Sequence, residues 1–288
     1  MKKFGIWAGS FRLPDAGLVG AAVAELDELG YGVLWYPGGT ARTFEVADSL
    51  LRGTRRSLVA TGIASIWVNQ PGDAAEQTTR LNSRYGNRFL LGLGVSHQPM
   101  VERLRPGAWR PPLEQMTRYL DELDGIQPTV PRQARLLAAL GPRMLALAGS
   151  RTAGTHPYLV TPDQTAAIRA SIGPDALVAV EQGVVLDADR TRGRSTAREA
   201  LAMYLGLPNY VNNWKRAGFT ADDVAGGGSD RLVDALVARG PAEHVVSRLR
   251  EHLDAGADHV CLQVLGSPAM DMPLRAWREL AAALDLNG

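Results

Sequence analysis

The chain has 288 residues, 45% of them hydrophobic, enough for one large domain with a sizeable core or for two small ones. Lys and Arg number 31 against 30 Asp and Glu, with no long basic run, so the electrostatic footprint of a nucleic-acid binder is missing. The single cysteine, Cys261, excludes an intrachain disulfide and suits a reducing cytosol, and no apolar stretch approaches the ~18 uninterrupted residues that a membrane span needs.

Short apolar runs alternate with helical spacing along the chain. Residues 3–8 read as a first strand rather than a secretory leader, because the apolar stretch after the two lysines stops at Gly9 and Ser10. Residues 16–30 carry Val19, Val23, Leu26 and Leu29 at helical spacing and stop at Gly30, which reads as a C-cap. Strand two covers 32–36, a helix 43–53, strand three 57–68, a helix 71–85 and strand four 89–94. Residues 97–112 look irregular; a helix at 113–123, strand five at 134–139 and a helix at 143–151 follow. Strand six is expected at 155–160. Thr161, Pro162 and Gln164 then form a helix start with a capping box. Strand seven spans 176–186. A largely helical stretch, 188–239, is broken by Pro208 and three consecutive glycines. A helix at 241–253, strand eight at 257–265 and a closing helix at 274–284 complete the chain. Eight alternating β and α units predict an α/β fold, a (β/α)8 TIM barrel with a helical insertion after strand seven, as one domain over 1–288.

A parallel barrel builds its active site at the C-terminal strand tips. FLLGLGVSH (89–97) ends its strand in small residues, a hydroxyl and an imidazole, placing Ser96 and His97 at such a tip. Gly141-Pro142-Arg143 ends strand five: glycine permits close approach, proline presets the first helical φ, and the free N–H groups of Arg143 and Met144 would meet an anion. The same residues would also make an ordinary βα turn with a solvated arginine. Ser65 to Asn69 brings Trp67 and an amide to the tip of strand three, to line a ring pocket or to fill the core. His156 and Tyr158 face either the lumen or a packed aromatic strand. Glu181 interrupts an apolar strand and needs a partner or a function. In strand eight the alternation predicts His259, Cys261 and Gln263 in the lumen, with Gln263 at the catalytic end and His259 at the stability end. His244 and His252 read as solvent-facing helix residues. No zinc-type histidine spacing, Walker A or G-x-G-x-x-G motif is present, and no metal is expected.

The order of LWYPGG (34–39), TGIASIWVNQP (61–71), FLLGLGVSH, LAALGPRML (137–145), HPYLVTP (156–162), LGLPNYVNNWKRAGF (205–219) and GGGSDRLVDALVARG (226–240) resembles the bacterial luciferase-like flavin and deazaflavin oxidoreductases, in particular the coenzyme F420-dependent subgroup. The resemblance covers essentially the whole chain. It implies a cytosolic oxidoreductase moving a hydride between F420 and a small organic substrate. It also implies a ring bound at Ser65, Ile66, Val95, Ser96 and His97 and a phosphate held at Gly141, Arg143 and Met144. A non-proline cis peptide, here Ser65–Ile66, would buttress the ring. Deazaflavin dehydrogenases carry an acid and a histidine after strand two, where this chain reads Gly38-Gly39-Thr40, so proton transfer either passes to His97 or His156 or is absent. Trp67, Tyr158, Glu181 and Gln263 fall to the substrate side, and a homodimer is the default assembly. The rivals are an FMN-dependent two-component monooxygenase and a barrel that binds a ligand without catalysis.

Overall fold

The computed structural model describes residues 1–39, 41–267 and 271–286. The elements, in chain order, are β1 (Phe4–Trp7), α1 (Ala16–Glu28), β2 (Val33–Gly38), α2 (Thr43–Gly53), β3 (Leu58–Ser65), α3 (Pro71–Tyr85), β4 (Phe89–Gly94), α4 (Gln98–Leu104), α5 (Pro112–Gly125), β5 (Arg135–Leu137), α6 (Pro142–Arg151), β6 (Gly154–Thr155), α7 (Pro162–Ile172) and β7 (Leu177–Val185). After them come α8 (Arg190–Leu201), α9 (Pro208–Arg216), α10 (Ala221–Val224), α11 (Asp230–Leu236), β8 (Val237–Arg239), α12 (Ala242–Asp254), β9 (His259–Val264) and α13 (Leu274–Leu284). Every strand pairing is parallel. β1 to β7 follow one another round the sheet, and β9 closes the ring between β7 and β1. The result is the expected TIM barrel of eight strands.

Alternation sorts the side chains of each strand. Val260 and Leu262 of β9 join the large cluster between barrel and helices, whereas Cys261 joins a small luminal cluster with Val33, Trp35, Ala60, Leu90, Leu136 and Ala179. Close strand packing requires glycine at Gly92, where an added Cβ would lie 2.0 Å from the Thr61 carbonyl oxygen.

Four local expectations need correction. β6 spans only Gly154–Thr155, with a single further bridge from Tyr158 to Glu181, because Pro157 has no N–H to give and Leu159 turns to φ 53°. The helical stretch after β7 ends in a short strand, β8, which pairs with Gly183–Val185 just where β6 has fallen away from β7. Residues 98–104, read as irregular, form α4. The non-proline cis peptide is at Gly62–Ile63, not Ser65–Ile66; it lies within the register irregularity between Ala60 and Ala64.

The capping box stands as expected. The Thr161 hydroxyl accepts from the Gln164 N–H, and the Gln164 side chain accepts from the Thr161 N–H. Thr161→Ala is therefore expected to cost about 1 kcal/mol, or roughly 2–4 °C in Tm, measured by thermal denaturation. The insertion α8 to α11 is held by Trp214, which is fully buried and donates to the Leu159 carbonyl, and by ion pairs of Arg194, Arg198 and Arg239 with Asp230 and Asp234.

Candidate active site

The lumen fills from the bottom. His259 is fully buried; its Nδ1–H donates to the Lys2 carbonyl and its Nε2 accepts from the Trp35 indole N–H. Burial, the largest effect, holds its pKa down at about 4, so the ring is neutral and structural. His252, expected in solvent, is instead fully buried between α12, α7 and β7. Gln182 is oriented by giving its amide hydrogens to the Gly183 and Leu236 carbonyls, so its Oε1 accepts from His252 Nε2–H, and His252 Nδ1 accepts from Thr165. Desolvation pushes this pKa down to about 3. His244 is exposed.

Above Trp35 lies a buried pair of titratable side chains. The His156 ring stacks on Trp35 with centroids 4.2 Å apart and planes within 5°. Its Nδ1 is 2.8 Å from the Ala179 carbonyl, which fixes the proton on Nδ1. Nε2 is then 3.4 Å from Glu181 Oε2, inside ion-pair distance but off a hydrogen-bond line, so it has no good partner at rest. Glu181 is 5% exposed; burial raises its pKa, and His156 only partly offsets this. Glu181 therefore holds its proton above the usual carboxylate range, beside the unpartnered Nε2.

Aromatic side chains continue from this pair to the mouth. The Tyr158 hydroxyl donates to Gln263 Oε1 at 2.9 Å, and its ring meets Tyr204 edge-on at 5.3 Å. Tyr204 meets Tyr210 at 5.1 Å, and Tyr210 meets His97 at 5.7 Å. Burial pushes the Tyr204 hydroxyl up to about 12 and lowers the His97 pKa, the latter against a hydrogen bond with Asn209. His97, His156, Tyr158, Glu181 and Gln263 thus form one connected cluster. Sequence reasoning missed Tyr204 and Tyr210 because they sit in the insertion, as well as Trp7, which closes the cluster at the other side. Trp7 Nε1 donates to the Gly62 carbonyl, and an added Cβ on Gly62 would come within 2.9 Å of His156 Nε2. A tryptophan at a strand tip, as at Trp67, was the available signal.

The tips of β3 and β4 hold the other expected residues. Ser65 and Ile66 are buried, and the Ile66 N–H donates to the Gly94 carbonyl. Trp67 donates its indole N–H to the Val95 carbonyl at 2.8 Å and stacks on Trp109, which ties the two tips together. Val95 and Ser96 are half-buried, and Ser96 has φ 58°, the left-handed region. At the tip of β2, an added Cβ on Gly38 would lie 2.9 Å from Thr43 Cγ2 and 3.0 Å from Ala64 Cα, leaving no room for a side chain. Gly39 is open, and Thr40 lies outside the described residues.

Gly141, Arg143 and Met144 stand apart from the cluster, at the tip of β5. Gly141 caps α6 without a side-chain acceptor, Pro142 occupies the first helical position, and the first intrahelical bond is made by Leu145. The N–H groups of Arg143 and Met144 are therefore uncommitted, Arg143 is exposed, and open space surrounds the Gly141 Cα. A helix N-terminus with this donor set fits a phosphate. Among the described residues no group of three or more His, Cys, Asp or Glu is placed to hold a metal, and no helix is long and apolar enough to cross a membrane.

A closed barrel with titratable and aromatic residues gathered inside its C-terminal mouth defines an enzyme-like (β/α)8 protein. The family described as luciferase-like monooxygenase matches residues 9–259, and the chain belongs to that family. Among solved structures it is similar to the coenzyme F420-dependent tetrahydromethanopterin reductase of Methanopyrus kandleri, at TM-score 0.75 and 17% identity over 99% of both chains. It is similar to an F420-dependent secondary alcohol dehydrogenase at TM-score 0.72 and 15% identity, again over 99% of both. The EDTA monooxygenase of Chelativorans sp. BNC1 aligns at TM-score 0.72 and 14% identity, over 100% of this chain and 94% of that one. No curated protein sequence matches the chain.

Proposed function

We propose that this luciferase-like barrel is an F420-dependent oxidoreductase that moves a hydride between the deazaflavin and a small organic substrate. The observation that carries the reading is the buried His156–Glu181 pair, because hydride transfer to or from a carbonyl or alcohol needs a proton partner, and this pair holds one in the lumen. The tricyclic ring supplies the redox chemistry when bound. Ser65, Ile66, Val95, Ser96 and His97 would line it at the tips of β3 and β4, and Gly141, Arg143 and Met144 would hold its phosphate. With Gly38 packed shut, the acid and histidine expected after β2 have no equivalent there, and His156 with Glu181 takes over proton transfer. Tyr158, Gln263 and Trp67 would face the substrate side, and a cytosolic homodimer goes with this reading.

Fluorescence-quenching titration with F420 and, in parallel, FMN tests it, since Trp7 and Trp67 lie at the strand tips. The expected result is micromolar F420 binding with much weaker FMN binding. Preference for FMN would move the assignment to a two-component monooxygenase, and binding of neither would leave a ligand-binding barrel. Arg143→Glu is expected to weaken cofactor binding roughly tenfold by placing a like charge beside the phosphate at a helix N-terminus.

A further inference from the structure

Beside the lumen, a cavity of about 760 Å³ opens at the tips of β1 and β9, with Trp7 as its wall toward the cluster. Its volume lies within the roughly 300–1,000 Å³ of small-molecule sites. Its walls are largely apolar, from Trp7, Leu13, Val46, Leu265 and Trp277. Its polar lining mixes donors and acceptors, from Ser10, Arg12, Arg42, Gln263, Ser267 and Asp271. Gln263 spends its oxygen on the Tyr158 hydroxyl, which leaves its amide hydrogens as donors. Ser10 adds a buried hydroxyl. Two arginines complete the set. Arg42 is already held by Glu45, whereas Arg12 is exposed and makes no ion pair among the described residues. Asp271 is the one carboxylate among the described residues of the wall.

We propose that this cavity binds an organic monocarboxylate with a hydrocarbon body, its carboxylate on Arg12 with Ser10 or Gln263 donating to its oxygens. The proposal rests on the oxidoreductase reading for its role as the substrate site. Three features select the class. Donors on Arg12, Ser10 and Gln263 call for an acceptor-bearing ligand. A single uncommitted guanidinium with a carboxylate in the same wall matches a monoanion better than a phosphate dianion. The apolar walls match a hydrocarbon body, which the Trp7 indole separates from Gly62 and His156.

The test titrates the full chain, with and without F420 or FMN, with hexanoate and benzoate and their neutral counterparts hexanamide and benzamide. Binding is followed by tryptophan fluorescence and saturation-transfer NMR. The acids are expected to bind at least tenfold more tightly than the amides. Arg12→Leu should remove that preference while F420 or FMN titration stays unchanged, with its fold checked by circular dichroism. Equal binding of acid and amide, no binding of either, tighter binding of hexylamine through Asp271, or an Arg12→Leu variant with wild-type preference would each overturn the proposal. Acid binding that depends on Arg12 in a protein that takes neither cofactor would sink the oxidoreductase reading and leave the carboxylate site standing. Cofactor binding without acid binding would do the reverse.

Discussion

Asp27→Ala is expected to lower stability by about 4 kcal/mol, the sum of several backbone donors stranded at once, and to drop Tm by roughly 10 °C. Asp27 is the next-to-last residue of α1 and is 5% exposed. Its carboxylate accepts from the backbone N–H groups of Arg55, Arg56 and Ser57 and from the Ser57 hydroxyl, at 2.6 to 3.1 Å. It therefore fixes the end of α1 to the segment that starts β3. Alanine leaves three N–H groups facing a gap. An asparagine in place of the acid would keep one acceptor and turn an amide donor toward the others, so Asp27→Asn should fall between wild type and alanine. Thermal and urea denaturation of the two variants check the order, and an alanine variant as stable as wild type would refute it.

The same carboxylate sets a pH dependence. Burial, the largest effect, pushes its pKa up, but the Ser57 hydroxyl and the backbone N–H groups outweigh it, and the net pKa lies below the usual 3.8. A lowered native pKa means that this stabilisation is fully present above the unfolded value and is lost as pH falls through the native one. Wild type should lose stability through that acid range faster than Asp27→Asn, so their melting temperatures should converge as the medium is acidified.

Elements with strong local signals were legible. The bounds of α2, α3, β4 and α13 follow from the sequence itself, because helical apolar spacing, the Pro71 start, the Gly86 C-cap and the glycine-rich end of β4 are all local. β6 and β8 were not legible because a two- or three-residue strand exists only through its neighbours: β8 takes the place beside β7 that β6 vacates. His252 carries the same lesson. Nothing near it in sequence announces burial, and its two partners, Thr165 and Gln182, are 87 and 70 residues away.

The site was partly legible. The polar alternation of β9 correctly placed His259 low and Gln263 high, since period-two geometry leaves a strand in a closed barrel few options. The need of Glu181 for a partner followed from the cost of burying a charge, but the partner, His156, comes from another strand tip and only the fold brings the two together. The insertion tyrosines and the donor-rich cavity depend on loop paths that no local pattern determines.

Glu181→Gln is expected to cut turnover about 100-fold, the scale of a lost general acid–base, without loss of fold. His156 gives its Nδ1–H to the Ala179 carbonyl, so Nε2 is the ring nitrogen that faces Glu181. A glutamine at this position can donate an amide hydrogen to Nε2 but has no acid proton to pass on. Burial raises the Glu181 pKa, so the wild-type acid form persists above its usual range and activity that needs its proton falls as pH rises through that raised value. The Gln variant should lack this limb. Stability runs the other way: a raised native pKa subtracts stability as pH climbs from the unfolded value toward the native one, and glutamine removes that penalty. The variant should therefore melt at or above the wild-type temperature at neutral pH while reoxidising reduced cofactor far more slowly with substrate present. Infrared difference spectroscopy gives a reading that needs no substrate: a protonated carboxyl band that persists above the usual carboxylate range in wild type should be missing from the variant. An unchanged band, or an activity loss matched by an equal loss of stability, would assign the pair to packing alone.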